Sequence, residues 1–240
     1  MKRYIVYIKS VFLLAIVVLL YGFSSQRNNK KSVTELVVGF SNGANLFLSH
    51  EMVNKLLIQK NGEVKNQPKS LINLHELEKV VFQNPLVEDV KVFMTIDGAM
   101  KTVIKQRTPI ARVNNGSEVY YIDKQGVKMP LSKNYSARVL LVSGTINDED
   151  ITSIYCLVKK INDNVFLSKL VVGIVKNSMG DYILKTRKYD EHIQIGTIDD
   201  LNVKFKKLEA FYNEVIQSNV VGKYKTINLK FSNQVVCTKN

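Results

Sequence analysis

Only two cysteines and three histidines occur in the 240 residues of this chain. Two thiols cannot make a disulfide framework. Cys156 and Cys237 are therefore read as two buried free thiols, with pairing in an oxidising compartment as the alternative. His50, His75 and His192 are scattered without the spacing that metal ligation needs, so capping or surface roles are expected and no metal or other cofactor. Acidic residues are also scarce: 21 Asp and Glu stand against 34 Lys and Arg, a formal net charge of +13. The excess is spread along the chain (Lys55, Lys91, Lys105, Lys128, Lys159, Lys188, Lys230), with no dense arginine run and no RNA-binding aromatic signature. That pattern points away from nucleic acid and toward a solvated basic surface facing lipid or a polyanionic envelope.

Catalytic apparatus is missing as well. There is no nucleophile elbow, phosphate loop, zinc-ligand pair or dinucleotide fingerprint, and the glycines are dispersed at turns. Glu88 and Asp89 are neighbours on a strand and face opposite ways, so they read as solvated charges. Asp148, Glu149 and Asp150 sit where acids favour a helix start. No enzyme activity and no small-molecule substrate is expected. Internal repeats and low-complexity tracts are absent too. What the chain has instead is 45% apolar residues, enough for one or two cored domains.

The longest apolar run comes first. No charge falls between Ser10 and Ser25, and the hydrophobic span of about Tyr4–Phe23 supplies the ~20 residues that cross ~30 Å of hydrocarbon. Lys9 can snorkel to the headgroups, and Tyr4, Tyr7, Tyr21 and Phe23 suit the interfaces. A cleaved signal peptide is the rival, with a weak cleavage-like site near Ser24. The run is long for that role, so an uncleaved anchor over 10–25 is expected, between a tail at 1–9 and a linker at 26–32. Lys2, Arg3 and Lys9 before it nearly balance Arg27, Lys30 and Lys31 after it, so charge leaves the orientation open.

Beyond the linker, Glu35–Phe40 reads as a strand and SNGAN as a turn. Ser49 caps one helix, QKNGEVKNQPKS is a loop, and Asn73 caps a second helix with Leu74, Leu77, Val80 and Val81 on its apolar face. Asn84-Pro85 stops that helix. Two strands follow around Asp97-Gly98, a hairpin signal. Strand, helix, helix, strand, strand makes a compact α+β unit over 33–110.

A β-rich α+β unit over 111–240 comes next. Strands are expected at Glu118–Ile122, Val127–Met129 and Arg138–Val142, with Asp123–Gly126 as the turn between the first two. A helix carries Ile151, Ile154, Leu157, Val158 and Ile161 on one face. Further strands are expected at Phe166–Val175, Asp181–Thr186 and His192–Ile195. A long helix begins near Asp199 or Asp200, with Leu201, Phe205, Leu208, Tyr212 and Val215 inward. A hairpin turning at Ser232-Asn233 comes last.

Three stretches carry a resemblance. Asn84-Pro85-Leu86-Val87-Glu88-Asp89-Val90 resembles the N-P-x-[VI]-x-x-[VA] of the bacterial division proteins of the FtsQ/DivIB family. Gln106-Arg107-Thr108-Pro109-Ile110-Ala111 resembles that family's E-R-x-P-x-A, with Gln106 where Glu is frequent. Tyr120-Tyr121-Ile122-Asp123-Lys124-Gln125-Gly126 resembles Y-x-[IVL]-D-x-x-G, and Met129 stands where Phe is frequent. The resemblance implies a POTRA-like domain, an FtsQ-type β domain, and type II single-pass topology in the cell inner membrane, with a periplasmic bulk concentrated at the division septum. It implies structural roles for Asn84, Pro85, Arg107, Pro109, Tyr121, Asp123 and Gly126. It also implies a non-enzymatic scaffold that joins FtsB-like and FtsL-like proteins, and other septal synthesis proteins, to peptidoglycan synthesis.

Lys225–Phe231 alternates apolar Ile227, Leu229 and Phe231 with polar Thr226, Asn228 and Lys230. As an exposed edge, such a strand can accept another chain by strand addition. In the FtsQ family the C-terminal strands receive FtsB, so Tyr224, Thr226, Ile227, Asn228, Leu229, Lys230 and Phe231 are candidate partner-binding residues. Two other readings compete. A POTRA-bearing envelope transport or assembly component would need a barrel or tandem POTRA units. A membrane-anchored envelope hydrolase would need clustered catalytic residues.

Overall fold

A long uncharged apolar run has to satisfy its backbone internally if it is to enter lipid, and a helix does this. In the computed structural model, helix α1 spans Lys2–Asn29. Within it Tyr7–Arg27 is long and apolar enough to cross a membrane, and none of that stretch is buried against the protein. The helix thus takes in the expected tail and the start of the expected linker. Residues 2–29, 31–41, 47–61, 65–187, 191–218 and 222–239 are described.

The chain divides into two compact units, Met1–Gln106 and Arg107–Asn240. After α1, the first unit contains β1 (Leu36–Phe40), α2 (His50–Asn61), α3 (Leu74–Phe82), β2 (Val87–Met94) and β3 (Met100–Gln106). Ser49 Oγ accepts from Met52 N at 3.2 Å, and Asn73 Oδ1 from Glu76 N at 3.2 Å, so both expected caps hold. α2 runs on to Asn61, taking in the start of the expected loop. The SNGAN turn lies, after Ser41, outside the described residues. β3 is the centre of a three-stranded sheet, parallel to β1 and antiparallel to β2. Val53 and Leu57 of α2, Leu77 and Val81 of α3, and Val90, Val92, Met100 and Ile104 of the sheet are buried.

The second unit opens at Arg107, so Pro109 and Ile110 belong to it rather than to the first unit. The physical reason is pairing: Pro109 starts β4 (Pro109–Asn114), which bonds to strands of the second sheet. After β4 come β5 (Val119–Asp123), β6 (Lys128–Pro130), β7 (Leu140–Gly144), α4 (Ile151–Asp163), α5 (Val165–Leu170), β8 (Val171–Lys176), β9 (Tyr182–Thr186), β10 (His192–Gly196), α6 (Leu201–Gln217), β11 (Tyr224–Asn228) and β12 (Val236–Lys239). They form one nine-stranded sheet in the order β12-β11-β10-β9-β8-β7-β4-β5-β6. β4–β7, β7–β8 and β10–β11 are parallel and the other neighbours antiparallel. Parallel neighbours need a crossover, which α4–α5 supply for β7 and β8 and α6 for β10 and β11. The helices bury Ile154, Leu157, Val158, Ile161, Leu167, Leu201, Phe205, Leu208 and Tyr212 against the sheet's Ala111, Val113, Val142, Ile174, Leu184, Ile193 and Ile227.

Two expectations change here. Phe166–Leu170 is helical rather than the start of a strand, because Asn164 Oδ1 accepts from both Phe166 N and Leu167 N at 2.9 Å and caps a short helix. Both cysteines are free, but they are not buried. Cys156 lies on an exposed position of α4, and Cys237 is half-buried. Gly144 of β7 lies against the backbone of Lys176 at the end of β8. Its φ is +115°, and a Cβ there would stand 2.0 Å from Lys176 O.

Candidate functional site

The last strands decide what the second sheet offers at its open end. β11 is bonded on both sides, to β10 in parallel and to β12 in antiparallel register, so Lys225–Phe231 is not the free edge. The hairpin turn places β12 outside it. Ile227 and Leu229 are fully buried, and Leu229 N donates to Gln194 O at 2.9 Å, which makes Leu229 part of the core. Tyr224 is half-buried, packs against the core and stacks edge-on against Phe211 at 5.5 Å. Asn228 Oδ1 accepts from Lys230 N at 2.9 Å, and the Lys230 ammonium is paired with Asp181. Lys207 Nζ bonds Phe231 O at 2.5 Å and holds the turn. Phe231 itself is exposed. Of the seven candidates, Lys230 and Phe231 are exposed, Tyr224, Thr226 and Asn228 are half-buried, and Ile227 and Leu229 are buried.

The edge itself is β12, four residues with Val236 40% exposed and Thr238 and Lys239 exposed. Its inner side pairs with β11 at Asn228↔Val236, Ile227↔Cys237 and Thr226↔Thr238. Among the described residues no strand lies on its outer side. The Cys237 thiol titrates above its ordinary value, raised by burial and then by the Glu191 carboxylate, so it resists ionisation. Glu191 is itself buried and accepts a hydrogen bond from the Tyr212 hydroxyl. The sequence reading missed that pair, and the spacing of Glu191 and Tyr212 gives no signal for it.

At the other end of the sheet the motif residues gather at one turn. Asp123 is 1% exposed. Its Oδ2 accepts from Arg107 Nη1 at 2.8 Å, and its Oδ1 accepts from Gln125 N at 2.9 Å and Val127 N at 2.8 Å. Lys124 N donates to Thr108 O at 3.0 Å, tying the turn to the residue before Pro109. Gly126 has φ +82°, and a Cβ there would meet the Tyr155 ring at 3.3 Å, while Tyr155 Oη donates to Lys124 O at 3.0 Å. The Tyr121 hydroxyl oxygen accepts from Ala137 N at 3.1 Å and folds the 131–139 segment over the sheet. This arrangement engages both oxygens of the carboxylate with donors of its own chain, so it can hold a turn. No group of three or more His, Cys, Asp or Glu that could bind a metal occurs among the described residues.

In the first unit Asn84 Oδ1 accepts from Leu86 N at 3.0 Å and turns the chain from α3 into β2 at Pro85. Gln106 Oε1 accepts from Phe47 N at 2.9 Å and Leu48 N at 3.2 Å. Gln supplies the same carbonyl-type acceptor as the Glu frequent there, so the departure keeps this contact.

These placements agree with what the chain is similar to. A POTRA-like domain matches residues 35–105. The cell division protein DivIB of Clostridium acetobutylicum is 23% identical over 177 residues, covering 69% of this chain and 69% of that protein. The family described as FtsQ/DivIB, C-terminal related, matches residues 108–238, which takes in the second sheet up to Thr238 of β12. The chain belongs to the FtsQ/DivIB family.

Proposed function

We propose that this protein acts in bacterial cell division as a non-enzymatic, single-pass membrane scaffold. In this reading α1 anchors it in the cytoplasmic membrane in type II orientation, with both folded units on the extracytoplasmic side and concentrated at the septum. The folded units bind FtsB-like and FtsL-like proteins and join them to septal peptidoglycan synthesis. Family membership and the DivIB relative support the division role. The observation that carries the contact is the open outer side of β12, which offers main-chain donors and acceptors that an extended partner segment can satisfy. Thr226, Asn228, Lys230 and Phe231 lie beside it as side-chain contacts.

The test is co-purification of the full chain in detergent with the FtsB-like and FtsL-like proteins of the same cell. Leu229→Pro is unsuitable, since it would break the buried strand end. Cys237→Pro and Thr238→Pro are used as a pair, because neighbouring N–H groups on a strand point to opposite sides and one of the two must point outward. Capture by the native chain, weakened about tenfold or more in one proline variant that stays folded, is expected, as for loss of main-chain bonds at a desolvated edge. Failure of the native chain to capture either protein overturns the scaffold reading. Equal capture by both variants overturns the edge and sends the contact to another surface.

A further inference from the structure

β4, β7 and β8 are mutually parallel, so their first residues lie along one side of the sheet. A groove of about 560 Å³ runs there, and three arginines line it: Arg112 on β4, Arg138 just before β7, and Arg187 just after β9. Asn162, in the last turn of α4, lines it as well, and Leu141, 57% exposed, forms part of its floor. Among the described residues no acidic one lines it. Among the described residues no carboxylate lies within 4.0 Å of these guanidiniums. Their side-chain bonding amounts to one long contact, Arg112 Nη1 to Ser136 Oγ at 3.4 Å. Ser168 also lines the groove, but its hydroxyl donates to Val165 O and is spent.

Elsewhere in the same unit the buried guanidinium of Arg107 is ion-paired. Three like charges gathered on one groove without a counter-charge repel each other, and the arrangement gains most from an anion between them. The negative end of α4 eases that repulsion but accepts no hydrogen bond from these side chains. Guanidinium forks match the paired oxygens of phosphates, and three of them suit a multiply charged oxyanion better than a single carboxylate. The Asn162 amide adds a neutral donor, and the apolar floor suits a ligand whose phosphate is joined to a carbon skeleton.

We infer that this groove binds a phosphate-type oxyanion, carried either on a soluble molecule or on an anionic lipid headgroup. The site is separate from β12 and stands whether or not the edge captures a partner. Calorimetric titration of inorganic pyrophosphate into the full chain in nonionic detergent tests it. Saturable one-to-one binding is expected, weakened at least about tenfold in the Arg138→Gln/Arg187→Gln double variant, as for loss of charge-assisted hydrogen bonds. Lys79→Gln/Lys206→Gln, which removes two exposed lysines elsewhere, is expected to bind like the native chain. Far-ultraviolet circular dichroism confirms that the variants are folded. Absence of saturable binding overturns the inference, and so does equal weakening by the arginine and lysine pairs, which would mark general charge attraction. Micelles mixed with phosphatidylglycerol then distinguish the source: competition with pyrophosphate assigns the site to a lipid headgroup, and lack of competition to a soluble phosphate.

Discussion

The two edges of the nine-stranded sheet are built on opposite plans. At the β6 end the strand is three residues long and closes with Pro130, which has no N–H to offer a neighbour. Met129 there is fully buried, and the polar groups of the adjoining turn are consumed by Asp123 and Arg107. At the β12 end the strand is longer, carries no proline, and shows an exposed valine on its open side. Both edges face the same hazard of unwanted pairing, yet only one is blunted. The difference teaches that the sheet has a direction: one end is finished by its own chain, and the other stays open among the described residues, as the proposed capture of a partner segment requires.

Removing the carboxylate that finishes the closed end should have the largest effect. Asp123→Ala strands the Arg107 guanidinium, whose side chain is 14% exposed, and orphans two turn N–H groups. A loss of about 3–5 kcal/mol is expected, read as a fall in the thermal unfolding midpoint of the second unit. A variant as stable as the native chain would mean that the turn is held by other contacts and that the comparison of the edges is mistaken.

The reciprocal change probes the open end. The β12 proline variant whose lost N–H points outward should leave that midpoint nearly in place while partner capture falls about tenfold or more, and the other, which loses a bond to β11, should lower the midpoint. Pro130→Thr, which restores a donor at the closed edge, should leave capture unchanged if the partner pairs with β12 as proposed. If Pro130→Thr alters capture as much as the β12 variants do, the two edges are equivalent and the direction of the sheet is lost. Gly126→Ala should cost about 1–2 kcal/mol through its positive φ, with capture unaffected in the folded fraction.

Much of this comparison was legible in the residues, and the rest depended on long-range pairing. The Asp123–Gly126 turn, the caps at Ser49 and Asn73, and the inward faces of α4 and α6 follow from local chemistry with a period or a spacing, which a sequence displays. The motifs single out Arg107 and Asp123 separately; their ion pair spans sixteen positions and is a fact of the folded sheet. Alternation in Lys225–Phe231 separates buried Ile227 and Leu229 from Thr226 and Asn228 but fails at Phe231, which lies beyond the end of β11 and is exposed. It says nothing of which strands flank β11, and so the edge was assigned one strand too early. Phe166–Leu170 failed for a different reason: so short a stretch, with three apolar residues in five, fits a strand or a short helix equally, and the Asn164 cap decides.

The smallest expected effect lies between the two edges, at the crossover joining parallel β7 and β8. Asn147 and Asp150 cap the turn that leads into α4, and Lys176 at the end of β8 reaches the same Asp150 oxygen at 2.6 Å. Burial pushes the Asp150 carboxyl up, but the Asn147 N–H and the Lys176 ammonium outweigh it and hold the group below its ordinary 3.8. A carboxyl depressed by folding contributes stability that is complete above its unfolded value and is lost as pH falls through the folded one. Acid unfolding of the full chain, followed by circular dichroism, should therefore begin at higher pH in Lys176→Met, with about 1 kcal/mol lost at neutral pH. Asp150→Asn should lose similar stability at neutral pH yet converge with the native chain in acid, since the native chain has by then given up the same interaction. If both variants track the native chain from neutral pH to acid, the crossover is held by its apolar face alone, and the polar investment of this sheet is confined to its closed edge.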